Sequence, residues 1–223
     1  MKMRLRPIRV FCFHHVSDAF EPDTMAKCDW IQTEDFKQRI MALKKDHTFI
    51  SLADAYDRLS DDVLRMKRYA VLTADDGWLS IKSILPWLQE QGIPVTLFLN
   101  PMYMDGNHFR KRVTERYLSY DDVKTLCDDY PLMSIGMHGW EHVRVTEYNE
   151  DEFRQNLSLS IQALKDYKTY IPFFAYPWGE WNEMNQRVLR EMKVMPVLVD
   201  GVKNCDAISG IHREVLMSKD EQC

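Results

Sequence analysis

The sequence lacks several features that would place the protein in other classes. It contains no CxxC pair, and its five cysteines are an odd number, which fits reduced cytosolic thiols better than a disulfide framework. No apolar run approaches the length that a membrane-spanning helix needs. The formal net charge is -5, whereas nucleic-acid binding usually requires a concentrated basic surface. We therefore expect a globular protein without a nucleic-acid partner or a transmembrane segment.

The positively charged start of the chain does not have the pattern of a secretory leader. Its apolar part, Ile8–Phe13, is interrupted by Arg9 and is too short for the apolar region of a signal peptide. No small-residue cleavage site follows, so this segment predicts a first β-strand and a cytoplasmic protein. No internal repeat and no low-complexity linker divides the chain, so we expect a single domain over residues 1–223.

Segments typical of strands alternate with segments typical of helices. Apolar runs predict strands at 8–13, 49–51, 69–73, 94–100, 133–138, 171–177 and 195–201. Helical periodicity predicts helices at 33–46, 51–59, 80–92, 119–130, 149–167 and 182–193, the third of them kinked or broken at Pro86. This alternation is typical of a parallel sheet covered by helices, either a small α/β barrel or an open sheet.

Polar residues stand where several of these helices should begin. Thr33, Ser51, Ser119 and Asn149 are residue types that cap helix N-termini well. Glu152 follows Asn149 at the spacing of a capping box. The sequence therefore predicts N-caps at these four positions.

Three polar stretches, 73–78, 137–142 and 174–182, each coincide with the C-terminal end of a predicted strand. In parallel α/β folds these strand ends converge on one site, so we expect the three stretches to meet in space. The segment 101–116 is polar and aromatic with little periodicity. It predicts a long loop over one end of the sheet, where loops commonly carry function.

The first two stretches carry residues that suit a metal centre. Asp75 and Asp76 stand side by side, and burying both carboxylates without a partner would be costly. His138 and His142 are four residues apart, and on a helical turn this spacing points both imidazoles at one metal ion, although alone it is a weak signal. One aspartate could complete a His₂Asp set, and the other could take a proton from water. Gly77 would let the chain turn at once.

The competing interpretation of these two acids is purely structural. Aspartate followed by glycine is a common turn signal, so Asp75 could cap the next helix while Asp76 is solvated. This interpretation explains the first stretch alone but gives no reason for the two histidines at the end of another strand.

Taken together, the stretches resemble the signature blocks of the NodB-type polysaccharide deacetylases, carbohydrate esterase family 4. TADDG (73–77) is similar to the family's TFDDG block, with Ala74 in place of phenylalanine, and HGWEH (138–142) matches its HxxxH block. FAYPWG (174–179) stands where many members have RxPxG. FHHVSD (13–18) and the segment after it look like the opening of the poly-N-acetylglucosamine deacetylase branch. The resemblance covers roughly residues 8–200 and implies a distorted (β/α)7-type barrel.

The resemblance also implies roles for individual residues in a hydrolase that removes N-acetyl groups from an N-acetylated amino-sugar saccharide. Asp75 would be the general base, and Asp76, His138 and His142 would hold a divalent metal, usually Zn²⁺, or else Co²⁺ or Ni²⁺. The general acid would be His14.

The stretch that aligns with RxPxG implies further site residues, and it contains a departure from the family pattern. Tyr176, Pro177 and Trp178 would contact the substrate, with the Trp178 N–H stabilising the oxyanion. For the general acid, His15 is a second candidate and His212 a third.

Ala175 replaces the arginine that would orient the base in the family. Arg213 or Lys203 could supply the missing cation, and the same branch also has alanine at this position. The departure keeps open a catalytically silent saccharide-binding domain, beside a deformylase or other amidase on the same metal site.

Four tryptophans, Trp78, Trp140, Trp178 and Trp181, lie in or beside the proposed site. Tryptophan can stack on sugar rings, but core aromatics at one end of a barrel would give the same pattern. The sequence leaves open which sugar is bound and which oligomer the protein forms.

Overall fold

The computed structural model describes residues 8–20, 29–58, 67–104, 117–199 and 211–216. The strands in these ranges are β1 (Ile8–Phe13), β2 (His15–Ser17), β3 (Trp30–Gln32), β4 (Thr48–Phe49), β5 (Tyr69–Ala74), β6 (Val95–Leu99), β7 (Met133–Met137), β8 (Tyr170–Ala175), β9 (Met195–Val199) and β10 (Ile211–Val215). The α-helices are α1 (Thr33–Lys44), α2 (Leu52–Arg58), α3 (Leu85–Glu90), α4 (Tyr120–Asp129), α5 (Glu150–Leu164) and α6 (Glu183–Glu191).

Seven parallel strands close into a barrel. They lie in the order β1, β10, β9, β8, β7, β6 and β5, and β5 pairs back with β1 to complete the ring. The short strand β4 adds to β5, and β2 and β3 form a separate two-stranded parallel sheet. The expected (β/α)7-type barrel is confirmed, and all seven strands point their C-terminal ends toward one end of it.

The barrel strands β5 and β6 are largely apolar because both of their faces are buried. All six residues of β5 are buried, as are all five of β6. Alternate residues belong to two clusters, one including Val71 and Phe98, the other including Leu72 and Leu97. The first cluster lies inside the barrel, and the second packs against the surrounding helices.

Three of the four predicted N-caps are confirmed. Ser119 and Asn149 both form capping boxes, and Ser51 Oγ accepts a hydrogen bond from Asp54 N. The prediction for Thr33 was wrong, because the side chain of Gln32 accepts from the next backbone N–H groups and Thr33 is already helical. Gln32 reaches them because its longer side chain folds back over the first turn.

The segment around Pro86 is broken, as predicted. A 3₁₀ turn at Leu79–Ser83 precedes α3, and Pro86 stands in the first turn of α3, where its missing N–H costs no hydrogen bond. The predicted loop 101–116 begins with a 3₁₀ turn at Pro101–Tyr103, and residues 105–116 lie outside the described residues.

Cys12 and Cys127 are buried free thiols, as expected, whereas Cys28, Cys205 and Cys223 lie outside the described residues. Across the described ranges, no helix combines the length and the apolar character that a membrane crossing requires.

Candidate active site

The chain leaves β5 in a left-handed turn that separates the two adjacent aspartates. Asp76 has φ 72° and Gly77 has φ 75°, a region that aspartate tolerates and glycine adopts freely. A Cβ on Gly77 would lie 2.8 Å from Leu99 Cδ2, so a larger residue would have to displace the Leu99 side chain of β6. The turn explains how one carboxylate points into the barrel while its neighbour faces the histidines.

Asp75 is bound by Arg213 of β10 through two hydrogen bonds. Arg213 Nη1 donates to Asp75 Oδ1 over 2.5 Å, and Nη2 donates to Oδ2 over 2.8 Å. The pair is buried, with Asp75 4% and Arg213 0% exposed. Burial raises the pKa of Asp75, but the guanidinium and the nearby His138 imidazole outweigh it, and the net shift is downward. Arg213 therefore holds Asp75 ionised and in one orientation.

Arg213 is in turn fixed by its surroundings. Its Nη1 also donates to Thr73 Oγ1 over 3.2 Å, and that hydroxyl donates to the Phe11 carbonyl over 3.0 Å. The guanidinium lies 5.3 Å from the centroid of the Phe98 ring, within the range of a cation–π contact. Of the two cations considered for the missing family arginine, Arg213 reaches Asp75, and Lys203 lies outside the described residues.

Asp76, His138 and His142 converge from two different strand ends. Asp76 Oδ1 lies 3.3 Å from His138 Nε2 and 3.4 Å from His142 Nε2. Its other oxygen, Oδ2, accepts a hydrogen bond from the Trp78 indole N–H over 2.9 Å. This second contact orients the carboxylate so that Oδ1 faces the two imidazoles.

The three side chains fit a divalent metal. His138 Nδ1 lies 2.8 Å from the Ala175 carbonyl oxygen, which can only accept, so Nδ1 carries the proton and a neutral ring turns the Nε2 lone pair toward Asp76. Asp76 Oδ1 is buried and receives no hydrogen bond from any described residue. Zinc ligands lie about 2.0–2.2 Å from the ion, which separates neighbours in a tetrahedral set by roughly 3.3–3.6 Å. The observed separations suit ligands that share one cation.

The charges of this set also suit a cation. Burial raises the pKa of Asp76, but its contacts with His138, His14 and His142 bring the net shift well downward, so it stays ionised. Burial lowers the pKa of His142 to about 4, leaving a neutral ring near pH 7. For His138, burial lowers the pKa, and the two aspartates more than reverse this effect. A metal ion would replace the proton that His138 otherwise attracts.

The two histidines are brought together by a bend and not by the helical turn that their spacing suggested. Residues 138–144 form no helix, and Gly139 has φ 84° with its would-be Cβ 2.9 Å from the Glu141 carbonyl oxygen. Buried Asn100, which directly follows β6, donates to the carbonyl oxygens of His138 and Gly139. Asn156 Oδ1 of α5 accepts from Trp140 N over 2.9 Å.

The sequence interpretation missed both asparagines. Asn100 carried one usable signal, since it is polar and directly follows an apolar strand end. Asn156 carried none, because it is one polar residue within an amphipathic helix.

Of the three candidate acids, His14 is the one placed beside Asp75. Ring nitrogen and carboxylate oxygen are no more than 4.8 Å apart, in a group that also includes the thiol of Cys12. His14 Nδ1 lies 3.9 Å from Asp29 Oδ1. His15 points elsewhere, with its ring 3.9 Å from that of Trp78. His212 adjoins Arg213 on β10, so strand alternation turns it away from the barrel interior.

The turn after β8 presents one backbone donor. Pro177 has no N–H, and Gly179 N donates to the Tyr176 carbonyl over 2.9 Å. Trp178 has φ 60°, and its N–H has no acceptor among the described residues. The Tyr176 ring is buried 5.3 Å from that of Phe174, so its side chain belongs to the core. Trp178 is therefore the group in this turn that can offer an N–H to a ligand.

The four tryptophans divide into structural and accessible residues. Trp78 lies between His15 and Tyr117, at 3.9 Å and 4.3 Å between ring centroids. Trp181 packs against the main core cluster, and Trp140 is partly buried. Trp178 is 58% exposed, with its ring 5.1 Å from that of His142. Trp181 is therefore a core residue, and Trp78 packs between two other rings. The Trp178 ring, in contrast, is accessible to a ligand.

Comparisons with known proteins match the chain to one family and to several solved structures. A family model described as polysaccharide deacetylase matches residues 64–197, which is more than half of the chain. A search of curated proteins finds no match.

The chain is also similar to several solved structures. IcaB from Ammonifex degensii is 18% identical with a TM-score of 0.76, over 94% of this chain and 91% of that one. Streptococcus pyogenes deacetylase PplD, solved with acetate, is 16% identical with a TM-score of 0.76, over 94% and 92%. A de-N-acetylase from Aggregatibacter actinomycetemcomitans is 15% identical with a TM-score of 0.74, over 97% of each chain. At these identities the likeness shows a shared fold.

Proposed function

The chain belongs to the polysaccharide deacetylase family, and we propose that it is a metal-dependent hydrolase that removes N-acetyl groups from an N-acetylated amino-sugar saccharide. One observation carries this proposal: a buried, ionised Asp75 held by Arg213 immediately precedes Asp76, which converges with His138 and His142. A base and a metal-ligand set in adjacent positions are what amide hydrolysis by water requires.

Asp76, His138 and His142 would hold the metal, with Zn²⁺ the preferred ion and Co²⁺ or Ni²⁺ as alternatives. When bound, the ion supplies Lewis-acid polarisation of the acyl carbonyl and lowers the pKa of water. Hydrogen bonds from outside the ligand set keep two of the ligands in place. The Trp78 indole fixes the Asp76 carboxylate, and the Ala175 carbonyl fixes the His138 tautomer.

Asp75 takes a proton from the attacking water while the water oxygen forms a bond with the acyl carbon. Both carboxylate oxygens already accept from Arg213, so the group is oriented before substrate arrives. His14, within 4.8 Å of Asp75, gives a proton to the nitrogen as the C–N bond breaks. The products are a free amino sugar and acetic acid, which then loses its proton to become acetate, and the proton gained by Asp75 balances that lost by His14.

The Trp178 N–H stabilises the negative charge that develops on the acyl oxygen. A donor held by a rigid turn costs no reorganisation during the reaction. The left-handed backbone of Trp178 supports this role, because strained non-glycine residues concentrate at functional sites.

The silent saccharide-binding alternative rested on the loss of arginine at Ala175. Arg213 restores a bidentate partner to Asp75 from another strand, so this departure gives no reason to expect inactivity. The deformylase alternative uses the same residues and differs only in the acyl group.

The test is a parallel assay of acetate and formate release from N-acetylated and N-formylated glucosamine, as monomers and as oligomers, with zinc supplied. We expect acetate from N-acetylated sugars. Formate release alone would favour the deformylase, and saccharide binding without release of either acid would favour the silent domain.

A further inference from the structure

The barrel interior beside Asp75 holds a second group of side chains that can bind a metal. Cys12 and His14 stand two positions apart where β1 ends, and Cys12 pairs with Thr73 of β5, two residues before Asp75. The Asp75 N–H donates to the Phe13 carbonyl over 3.0 Å, which continues the pairing of the two chain segments. The thiol of Cys12, a ring nitrogen of His14 and a carboxylate oxygen of Asp75 all lie within 4.8 Å of one another. Three different donor atoms therefore converge from two neighbouring strands.

These donor atoms suit zinc. Thiolate sulfur, imidazole nitrogen and carboxylate oxygen are the usual zinc ligands, and a set of three leaves one position for water. Each carboxylate oxygen has two lone-pair sites, so Asp75 can bind an ion while it still accepts from Arg213. An alanine or a valine would fill the space of Cys12 equally well but would bring no metal-binding atom.

The thiol of Cys12 is unreactive until a metal reaches it. Cys12 is 1% exposed, and burial raises its pKa to about 12, so it is a neutral thiol near pH 7. When a divalent ion binds, the metal–sulfur bond forms and the thiol proton passes to the solvent. The side chain of His14 is 19% exposed, the largest fraction of the three, so an ion would enter past this imidazole.

An ion bound to this group would stop the proposed hydrolysis. Asp75 is the proposed base and His14 the proposed acid, and a metal that occupies their lone pairs leaves neither able to move a proton. Cys12 has no part in the proposed reaction, so catalysis alone does not explain a sulfur at this position.

We propose that Cys12, His14 and Asp75 form a second zinc site, which fills only after the metal site of the proposed function and inhibits hydrolysis when zinc is in excess. The inference rests on the proposed function, since it concerns the regulation of that same site.

The order of filling follows from the charges around the second site. The Arg213 guanidinium already binds both oxygens of Asp75 and repels a cation placed beside them. An ion already held by the adjacent Asp76 repels the second ion as well, and the thiol of Cys12 must lose its proton. The second ion therefore binds more weakly, and activity should reach a maximum near one equivalent of zinc and fall above it.

Cobalt is the probe for the second site, because a thiolate ligand gives Co²⁺ an intense near-ultraviolet charge-transfer band that nitrogen and oxygen ligands do not give. The metal-free protein is titrated with Co²⁺ while its absorption is recorded. The same titration is made with Cys12→Ala and with Cys12→Ser, which nearly conserves the side-chain volume. Cys127→Ala, at the other free thiol buried in the described ranges, is the matched control.

We expect the first equivalent of Co²⁺ to bind without the thiolate band and the second equivalent to produce it. Both Cys12 variants should lose the band, and Cys127→Ala should keep it. A band that comes with the first equivalent, that persists without Cys12, or that never forms would overturn the second site.

Acetate release from an N-acetylglucosamine oligomer is then measured against zinc concentration. The zinc dissociation constant of the second site is obtained from the loss of the cobalt band when zinc competes. For each protein, release at ten times this concentration is divided by release at one equivalent, so an effect of the substitution on the reaction itself cancels. This ratio should fall roughly tenfold below one in the wild type and in Cys127→Ala, because about nine-tenths of the molecules then hold the second ion. It should stay near one in both Cys12 variants.

Equal inhibition of the wild type and the Cys12 variants by zinc would overturn the inhibitory site. Because the cobalt band is read without turnover, the proposed function can fail separately. The expected bands, together with no acetate release at any zinc concentration, would retain the second metal site and reject the deacetylase.

Discussion

Arg213 and Asp75, 138 positions apart in the chain, form a two-point hydrogen-bonded pair inside the barrel. The pair depends on the closure of the sheet, because β10 pairs with β1 and β1 pairs with β5. Arg213, on β10, therefore supplies the cation that Ala175, on β8, cannot supply.

Replacing Arg213 should therefore weaken the base and also the fold. Arg213→Lys keeps a cation but loses the pair of N–H donors that bind both oxygens of Asp75. We expect kcat to fall by roughly 10- to 100-fold, as for other residues that orient a catalytic group. Arg213→Ala leaves a buried carboxylate unpaired and should cost about 3–5 kcal/mol of unfolding free energy. Acetate release and urea denaturation measure the two effects.

The pH dependence of Arg213→Lys gives a separate test. Arg213 lowers the pKa of Asp75, and burial opposes it, so a weaker cation should let the pKa rise. The base works only when ionised, so the acidic limb of kcat/KM should move to higher pH in the variant. An acidic limb that stays where the wild type has it would show that Arg213 does not control the ionisation of Asp75.

Substitutions at the two adjacent aspartates and at a histidine should separate metal binding from proton transfer. Asp75→Asn should retain metal and lose activity by about 10²–10⁴-fold, the usual contribution of a general base. Asp76→Asn and His138→Ala should lose both, because each removes a ligand. Metal analysis of the purified proteins and acetate release are compared side by side. An Asp75→Asn protein as active as the wild type would remove Asp75 from the role of base.

Metal affinity should fall on acidification. Protons compete with the ion for imidazole nitrogen. Burial keeps the pKa of His142 at about 4, so His142 stays neutral over most of the range. The pKa of His138 is lowered by burial but raised further by the two aspartates, so His138 takes up a proton first as the pH falls. Between about pH 8 and about pH 5.5 the zinc dissociation constant should rise, and its slope should approach one proton once the pH is below the pKa of His138. A constant affinity over this range would contradict the histidine ligand set.

Gly77 should be intolerant of a side chain for two separable reasons. Gly77 and Gly92 both have positive φ, but a Cβ on Gly92 meets nothing within 4 Å, whereas one on Gly77 meets Leu99 at 2.8 Å. Gly92→Ala should cost about 1–2 kcal/mol from backbone conformation alone. Gly77→Ala should cost about 1–3 kcal/mol more from overpacking. Equal losses of unfolding free energy would show that Leu99 moves aside freely.

The sequence predicted those parts of the fold that depend on short-range patterns. Strands such as β5 and β6 are buried on both faces and are therefore largely apolar, and capping boxes such as that of Asn149 lie within four residues. The strands β2 and β3 have three residues each, too few to show a period.

The sequence predicted the candidate metal ligands but not the residues that hold the site in position. His138 and His142 stand in a recognisable motif, whereas Arg213 lies between His212 and Glu214 in a segment whose polarity argues against a barrel strand. Its position becomes interpretable only once β10 is known to lie next to β1. The bend at Gly139 likewise follows from contacts with Asn100, which directly follows β6, and not from the spacing of the histidines.

The central claim is that water attacks an N-acetyl group with the help of a metal held by Asp76, His138 and His142 and a base at Asp75. Acetate release from an N-acetylglucosamine oligomer, measured after chelator treatment and then during zinc titration, tests it most directly. We predict that the stripped protein is inactive, that about one equivalent of zinc restores release, and that Asp75→Asn binds the same zinc without release. Full acetate release by the stripped protein, or none at any zinc concentration, would contradict the account.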